Sequence, residues 1–425
     1  MSCRFAGIIW GVNKLFASAI SPAILSQIPA TLTMVNPMSS ATAEVLTTAK
    51  QSPVQFVIER SHLLKSLGHV QSVVEKRGTI AVLSNVKIDA KKDGVSFTAT
   101  DMDIAIVEKT VANVSKPGSM TVAAHTFYDI VRKLPEGAQV ELSTSNDGSK
   151  VSIKSGQSRF SLACLPVDDF PVMAEGELAH NFTLKSAELL SLVDKPSFAI
   201  STEETRYYLN GIYLHNAGSG DGKVLRAVAT DGHRLARIEV ALPAGADGMP
   251  GVIIPRKAIH ELRKLLEEGE GDVQVSLSET KIRFIYGNAV LVSKLIDGNF
   301  PDYERVIPAN NDKLMEVDCK HFKEAVDRVS VISSEKSRAV KFQLEGGKLT
   351  LSASSPEHGT ASEELDVTYS AAKVEVGFNS RYLLDMMGQI EGDTAQFLLN
   401  DGASPAIVRD TADVGVLYVI MPMRV

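Results

Sequence analysis

Apolar and polar positions along this chain follow two periods that alternate. Leu63, Leu64, Leu67, Val70, Val73 and Val74 recur at helical spacing, as do Phe322, Ala325, Val326 and Val329, whose opposite face carries Lys320, Lys323 and Arg328. Between such stretches the period drops to two. Val95-Ser96-Phe97-Thr98-Ala99-Thr100, Val151-Ser152-Ile153-Lys154, Val273-Gln274-Val275-Ser276-Leu277 and Lys348-Leu349-Thr350-Leu351-Ser352-Ala353 each set apolar side chains on one face, as half-buried strands do. A helix with one apolar stripe needs a surface to lie on. The pattern therefore predicts helices packed on antiparallel sheet, an α+β layer architecture.

The order of elements repeats three times with a period of about 125 residues, too long for an ordinary solenoid and suited to whole modules. Strand segments leading into first helices stand at Val54–Ile58, Asn181–Leu184 and Met315–Val317; Phe56 to Phe182 is 126 residues and Phe182 to Met315 is 133. A turn follows a strand at Ala99-Thr100-Asp101-Met102-Asp103, at Ala229-Thr230-Asp231-Gly232-His233 and, in weaker form, at Ala353-Ser354-Ser355-Pro356-Glu357. Second helices are predicted from Phe127 to Leu134, Ala258 to Leu266 and Tyr382 to Gln389, closed by Gly137, Gly271 and Gly392. The expected organisation is a leading segment, 1–53, followed by modules over 54–174, 180–301 and 302–425.

With 425 residues, 44% apolar and 22% charged, the chain can bury several cores, which three modules satisfy. A formal net charge of −7 argues against coating nucleic acid by bulk charge, so any such role must come from local placement. Basic residues do gather on the predicted second helices: Arg132 and Lys133, then Arg256, Lys257, Arg263 and Lys264, then Arg381 alone. Phosphate binding without base reading needs only a surface of this kind. Cys3, Cys164 and Cys319 form no CxxC pair, which supports neither a disulfide framework nor a zinc cluster and fits a reducing cytoplasm. Residues 1–43 carry only Arg4 and Lys14 as charges and hold the sole tryptophan, Trp10. Lys14 breaks the apolar core a secretory signal needs, and no run approaches the roughly 18 apolar residues of a membrane span. A disordered tail, or an upstream start codon with Met34 or Met38 as the true start, is the expectation.

Five strings in order carry a resemblance: Arg206-Tyr207-Tyr208-Leu209-Asn210-Gly211, Ala229-Thr230-Asp231-Gly232-His233-Arg234-Leu235-Ala236, Ile254-Pro255-Arg256-Lys257, Phe300-Pro301-Asp302-Tyr303 and Met421-Pro422-Met423-Arg424. With the elements between them, residues 54 to 425 resemble the bacterial DNA polymerase III beta subunits, the sliding clamps. The resemblance implies a non-catalytic processivity factor without a cofactor: a head-to-tail homodimeric ring of six modules, helices lining a hole for duplex DNA and sheets forming the rim. It implies DNA contacts at Arg77, His125, Arg206, Tyr207, Tyr208, Arg256 and Lys257. Glu203 and Glu204 precede Arg206, and His125 stands at what is commonly a basic helix start.

The resemblance further implies a pocket for short linear peptides of the replicative polymerase, the clamp loader and repair factors. Its walls would be Leu209, Thr230, Gly232, His233, Arg234, Leu235, Pro301, Arg305, Val306, Asn379, Tyr382, Val419, Met421, Pro422, Met423 and Arg424. Apolar and methionine walls with few polar anchors suit apolar peptides and allow several partners to share one site. At the subunit contact it points to Val331 and Ile332 meeting the region of Phe127 and Ile130. Two other readings compete. Asp231 and His233 are residue types of a hydrolase or metal enzyme, but neither other repeat supplies a matching histidine. An interaction scaffold without DNA is favoured only by the acidic net charge.

Overall fold

The computed structural model of the chain describes residues 53–75, 80–173, 176–334 and 338–424. The expectations for the leading segment (Pro53 apart) and for Arg77 fall outside the described residues. Six α-helices occur among the described residues: α1 (Arg60–Gln71), α2 (Ala124–Lys133), α3 (Ser186–Asp194), α4 (Arg256–Leu266), α5 (Cys319–Ser330) and α6 (Ser380–Met387). They pack in sequential pairs, α1 on α2, α3 on α4 and α5 on α6. The helical periodicity read from sequence is the buried stripe: Leu63, Leu67 and Val70 of α1 are fully buried, and Phe322, Val326 and Val329 repeat them in α5. The second helices start two or three residues before their expected positions. The strands Gly118–Ala123, Val252–Pro255 and Val374–Asn379 run into them with no loop between, so the first helical turn takes up residues that sequence alone assigns to a connection.

Four antiparallel sheets carry these helices. The first, of five strands, belongs to the first repeat and ends on Asn113–Lys116 at one edge and Ser158–Ala163 at the other. The fourth, of four strands, belongs to the third repeat and ends on Gly359–Asp366 and Val374–Asn379. The middle two have eight strands each, because each joins two repeats edge to edge. Ile104–Thr110 of the first repeat pairs with Ala289–Lys294 of the second, Ile104 opposite Ser293. Arg234–Ala241 of the second pairs with Val416–Ile420 of the third, Arg234 opposite Ile420. Neighbouring repeats thus satisfy each other's open strand edges, which would otherwise be templates for other chains.

The turn that recurs after a strand is held by one hydroxyl and one carboxylate. Thr100 Oγ1 donates to Ile104 O at 2.8 Å and accepts from Met102 N at 3.0 Å; Thr230 Oγ1 does the same with Arg234 O at 2.7 Å and Gly232 N at 3.0 Å. Asp101 and Asp231 each accept two backbone N–H groups with Oδ1. In the third repeat Ser355, not Ser354, offers the hydroxyl that accepts a backbone N–H of the turn, from Glu357 at 3.3 Å. Pro356 replaces the aspartate there, and the carboxylate half of the turn is lost.

Candidate functional site

Arg234 is the centre of the second junction. Its side chain is 9% exposed, yet its guanidinium is fully engaged: Nε with Asp231 at 3.2 Å, Nη1 with Asp385 of α6 at 2.5 Å and Nη2 with the carbonyl of Phe198 at 2.5 Å. The plane lies 4.4 Å from the Tyr382 ring centroid and 4.9 Å from that of Phe198. Arg234, expected among the pocket walls, is buried and ties the second repeat to the third. Asp231 is consumed by its turn and by Arg234, and the His233 ring is stacked on Tyr382 at 6.2 Å, so neither is poised as a catalytic acid or base. Among the described residues, no group of His, Cys, Asp and Glu could hold a metal ion.

The C-terminal segment reaches this turn directly. Met421 N donates to His233 O at 2.9 Å and Met423 N to Gly377 O at 2.8 Å, so Met421 and Met423 lie between the turn and the strand leading into α6. Exposed His233 and half-buried Tyr382, Asn379, Met421, Pro422 and Met423 share this surface, while Leu209, Thr230, Leu235 and Val419 are buried. Asn379 also caps α6, accepting Arg381 N at 3.0 Å. Burial holds the Tyr382 hydroxyl above its ordinary pKa, which keeps it a neutral donor at physiological pH. Arg424 lies elsewhere, lining a groove of about 510 Å³ with Lys341, Ser352, Ser354 and Ser362 on the fourth sheet.

Pro301, Arg305 and Val306 are exposed on a strap that crosses the second repeat. The strap is pinned by Tyr303, which packs with Val228, Leu235, Leu417 and Val419, and whose hydroxyl meets Arg226 Nη1 at 2.6 Å and His215 Nε2 at 3.0 Å. Burial lowers the His215 pKa, so the ring is neutral there. Arg305 pairs with Asp302 of the same strap, at 2.7 Å. Tyr303, Phe198 and Asp385 give no repeat signal in the sequence, because each acts through contacts particular to its place rather than through a periodic face.

The residues expected to touch DNA separate into two kinds. Arg256 and Tyr207 are exposed, and His125 is half-buried with Nε2 at 3.1 Å from Val74 O. Tyr208 packs on Gly298, where an added Cβ would stand 3.0 Å from the tyrosine Cβ. Lys257 is drawn into the first junction: its ammonium meets Asp101 and, at 3.1 Å, the Val73 carbonyl, so it ties α4 to the first repeat. Arg263 pairs with Asp194 and Glu267, Lys264 with Glu261, and Arg132 with Asp129. Among the described lysines and arginines of the helices, Arg60, Lys133, Arg256, Lys320, Lys323 and Arg381 have no carboxylate within 4.0 Å, and Arg60 donates instead to the Val131 and Arg132 carbonyls.

The first junction has a buried histidine at its centre. His69 of α1 is 8% exposed and lies between Glu108, at 3.2 Å from Nδ1, and Glu268 beyond α4, at 2.5 Å from Nε2; Lys65 pairs with Glu268 at 2.9 Å. Burial pulls the imidazole pKa down, but the two carboxylates outweigh it and the net shift is upward, while Glu268 is shifted downward despite its burial. A raised histidine pKa stabilises the fold fully below the unfolded value of about 6.5 and loses that contribution as pH rises through the folded value. Glu268 acts in the opposite sense, contributing above its unfolded pKa and losing this as pH falls. The thermal midpoint of the native chain minus that of His69→Gln is therefore expected to be largest in weakly acidic buffer and to shrink as pH rises through 7 and beyond; a difference that grows with pH would contradict the assignment.

At the expected subunit contact the four residues part company. Phe127 is fully buried in the core of the first repeat with Ala124 and Val131, since all three lie on the inward stripe of α2, and it is not available to a partner. Ile130 is half-buried, Ile332 packs partly on the core, and Val331 is 75% exposed.

Comparison with known proteins places this architecture. In order along the chain, residues 54–174 match the family DNA polymerase III beta subunit, N-terminal domain, residues 183–302 its central domain and residues 304–424 its C-terminal domain. The chain is 52% identical over 372 residues to the beta sliding clamp of Caulobacter vibrioides strain NA1000 / CB15N, covering 88% of this chain and 100% of that relative. It is similar to the solved sliding clamp of Bartonella birtlesii bound to griselimycin (TM-score 0.85, 51% identity, 88% of this chain and 100% of that one). The Pseudomonas aeruginosa sliding clamp bound to griselimycin superposes with a TM-score of 0.83 at 40% identity, again over 88% and 100%. Paired helices on antiparallel sheets, two of which run from one repeat into the next, are the three-module DNA clamp fold. The chain belongs to the DNA polymerase III beta subunit family, the beta sliding clamps, and is a non-catalytic processivity factor.

Proposed function

We propose that two copies of the chain, each built of modules at about 54–174, 180–301 and 302–425, close head to tail around duplex DNA and tether the replicative polymerase, the clamp loader and repair factors by short peptides. The observation that carries ring closure is the repetition of the junction. At each internal junction, the strand after the Thr-Asp turn pairs with the last strand of the neighbouring repeat. By position, Gly359–Asp366 and Ser158–Ala163 are the counterparts left open at sheet edges. A heterologous contact between them closes if the rotation per repeat is constant.

The helices support the same pairing. Positions in α5 match those in α1, so that Arg328 stands for His69 and Val331 for Ser72; the Arg132-Lys133-Leu134 string of α2 matches Arg263-Lys264-Leu265 of α4, so that Ile130 stands for Glu261. In the first junction Ser72 hydrogen-bonds Glu261, and His69 binds Glu108 and Glu268. At the open ends Arg328 binds Glu363, the counterpart of Glu108, through Nη2 at 2.6 Å, while Val331 remains exposed. Val331 against Ile130 of the partner subunit replaces a polar pair by an apolar one. Phe160 and Leu162, both half-buried on the edge strand, complete the contact in place of Phe127.

In such a ring the exposed cations Lys133, Arg256, Lys320, Lys323 and Arg381 face the hole, where weak, sequence-blind and salt-sensitive phosphate contacts permit sliding. His233, Tyr382, Val306, Met421, Pro422 and Met423 form the open part of the peptide surface over the buried floor of Leu209, Leu235 and Val419. Tethering there raises the effective concentration of a polymerase at the primer end without chemistry by the clamp. His233→Ala is expected to weaken griselimycin, used as a probe because two relatives were solved with it, by roughly tenfold through loss of the ring stacked on Tyr382. Unchanged griselimycin affinity, or a dimer that falls apart, would overturn the assignment of this surface.

A further inference from the structure

Arg206, a DNA contact by the resemblance, also lies against the Gly232 turn beside the proposed peptide surface. It interrupts the 3-10 run Glu204–Leu209 with φ −111° and ψ 50°, and this break turns its side chain back along the loop. Nε donates to Glu203 Oε2 at 2.8 Å and Nη2 lies 2.7 Å from Oε1, a two-point fork of the kind guanidinium makes with carboxylate or phosphate alike. The remaining nitrogen, Nη1, lies against the partner-pocket turn: a Cβ built on Gly232, whose φ is +88°, would stand 2.7 Å from it. Glu203 itself is 54% exposed. Arg206 holds the Glu203 carboxyl below its ordinary pKa, with His233 adding to the effect, so the carboxylate stays charged. Its neighbour Glu204 is also exposed but is not the partner in the fork.

We propose that Glu203 is a built-in competitor for phosphate, holding the Arg206 fork against the Gly232 turn until a DNA phosphate displaces it, so that duplex binding and pocket occupancy are coupled through one guanidinium. The inference rests on the clamp reading above. It follows that the pocket edge differs between the free and the DNA-bound protein, because phosphate capture withdraws the side chain that covers Gly232. Linkage then requires that a pocket ligand and the duplex each alter the other's affinity by the same factor.

Glu203→Gln keeps the side-chain size but cannot make the charged fork. In anisotropy measurements at low salt on a fluorescent linear duplex of arbitrary sequence, it is expected to tighten binding by about three- to tenfold, as for loss of one charged competitor. Glu204→Gln, which removes the same charge one residue away, is expected to change binding by less than about twofold. Adding Glu203→Gln to Arg206→Ala is expected to give no further gain. With griselimycin as the pocket probe, saturating duplex is expected to shift its dissociation constant in the native protein and not in Arg206→Ala. Equal effects of the two glutamate changes, or a Glu203→Gln gain that survives Arg206→Ala, would reduce the effect to bulk charge and overturn the inference. A griselimycin affinity indifferent to duplex would overturn the coupling. Failure of the native protein to bind griselimycin would instead sink the peptide-surface reading on which the inference rests.

Discussion

Phe160→Asp combined with Leu162→Asp is expected to break the proposed dimer into single chains of 45.8 kDa, read by size exclusion with light scattering. Both residues lie on the open edge strand Ser158–Ala163, on the face directed toward the core. In the equivalent position at the first junction, Leu291 is fully buried by the neighbouring repeat, whereas Phe160 is only half-buried. Each apolar side chain that a partner covers contributes about 1.5–3 kcal/mol, and a two-copy ring contains every contact twice. Inward-pointing carboxylates are also what edge strands use to refuse pairing, and on the opposing strand they would meet Glu363, whose charge is already balanced by Arg328. Phe160→Val should keep the dimer, since it preserves an apolar face. An aspartate variant that remains dimeric with an unchanged thermal midpoint would show that the subunit contact lies elsewhere.

Arg234→Met is the substitution expected to cost most stability at a single position. Removing the guanidinium leaves Asp231, Asp385 and the Phe198 carbonyl without their partner in a site where the arginine is 9% exposed. Breaking a buried pair from one side costs about 3–5 kcal/mol, and the partial exposure of Asp385 sets the expectation at the lower end, about 3 kcal/mol. That corresponds to a fall of roughly 10 °C in the transition of the second and third modules. Arg234→Lys should recover little, because one ammonium cannot serve three acceptors and two ring faces together. Griselimycin binding should fall with it, since Tyr382 would lose the cation that holds its ring. A variant with native stability would mean that the three contacts to Arg234 are not what joins the second repeat to the third.

Periodicity alone predicted helices on antiparallel sheet, because the stripe of α1 and the alternation in the strands report burial directly. The meeting of the Gly232-His233 turn with Met421 was legible through the resemblance, which sets both among the walls of one pocket. Other features left no trace of that kind. Phe127 and Phe160 are both apolar residues at regular spacing, and sequence cannot distinguish a stripe covered by its own module from one that awaits a partner. Lys257 and Arg256 are adjacent and alike, but only Lys257 reaches Asp101 of the first repeat, a contact 156 residues away in the chain. In the third repeat, Ala353-Ser354-Ser355 offers two hydroxyls, and only the hydrogen bond from Glu357 decides which one holds the turn. His69 reads as one more position on α1 until Glu108 and Glu268 are brought to either side of it.

In the proposed ring the hold on DNA is topological, by encircling the duplex. The direct measurement is to load the protein on nicked circular DNA with a clamp loader, isolate the complex, and then cut the circle once. Release from the linear molecule, with retention on the uncut circle, is the predicted result. Retention on linear DNA with free ends would contradict it.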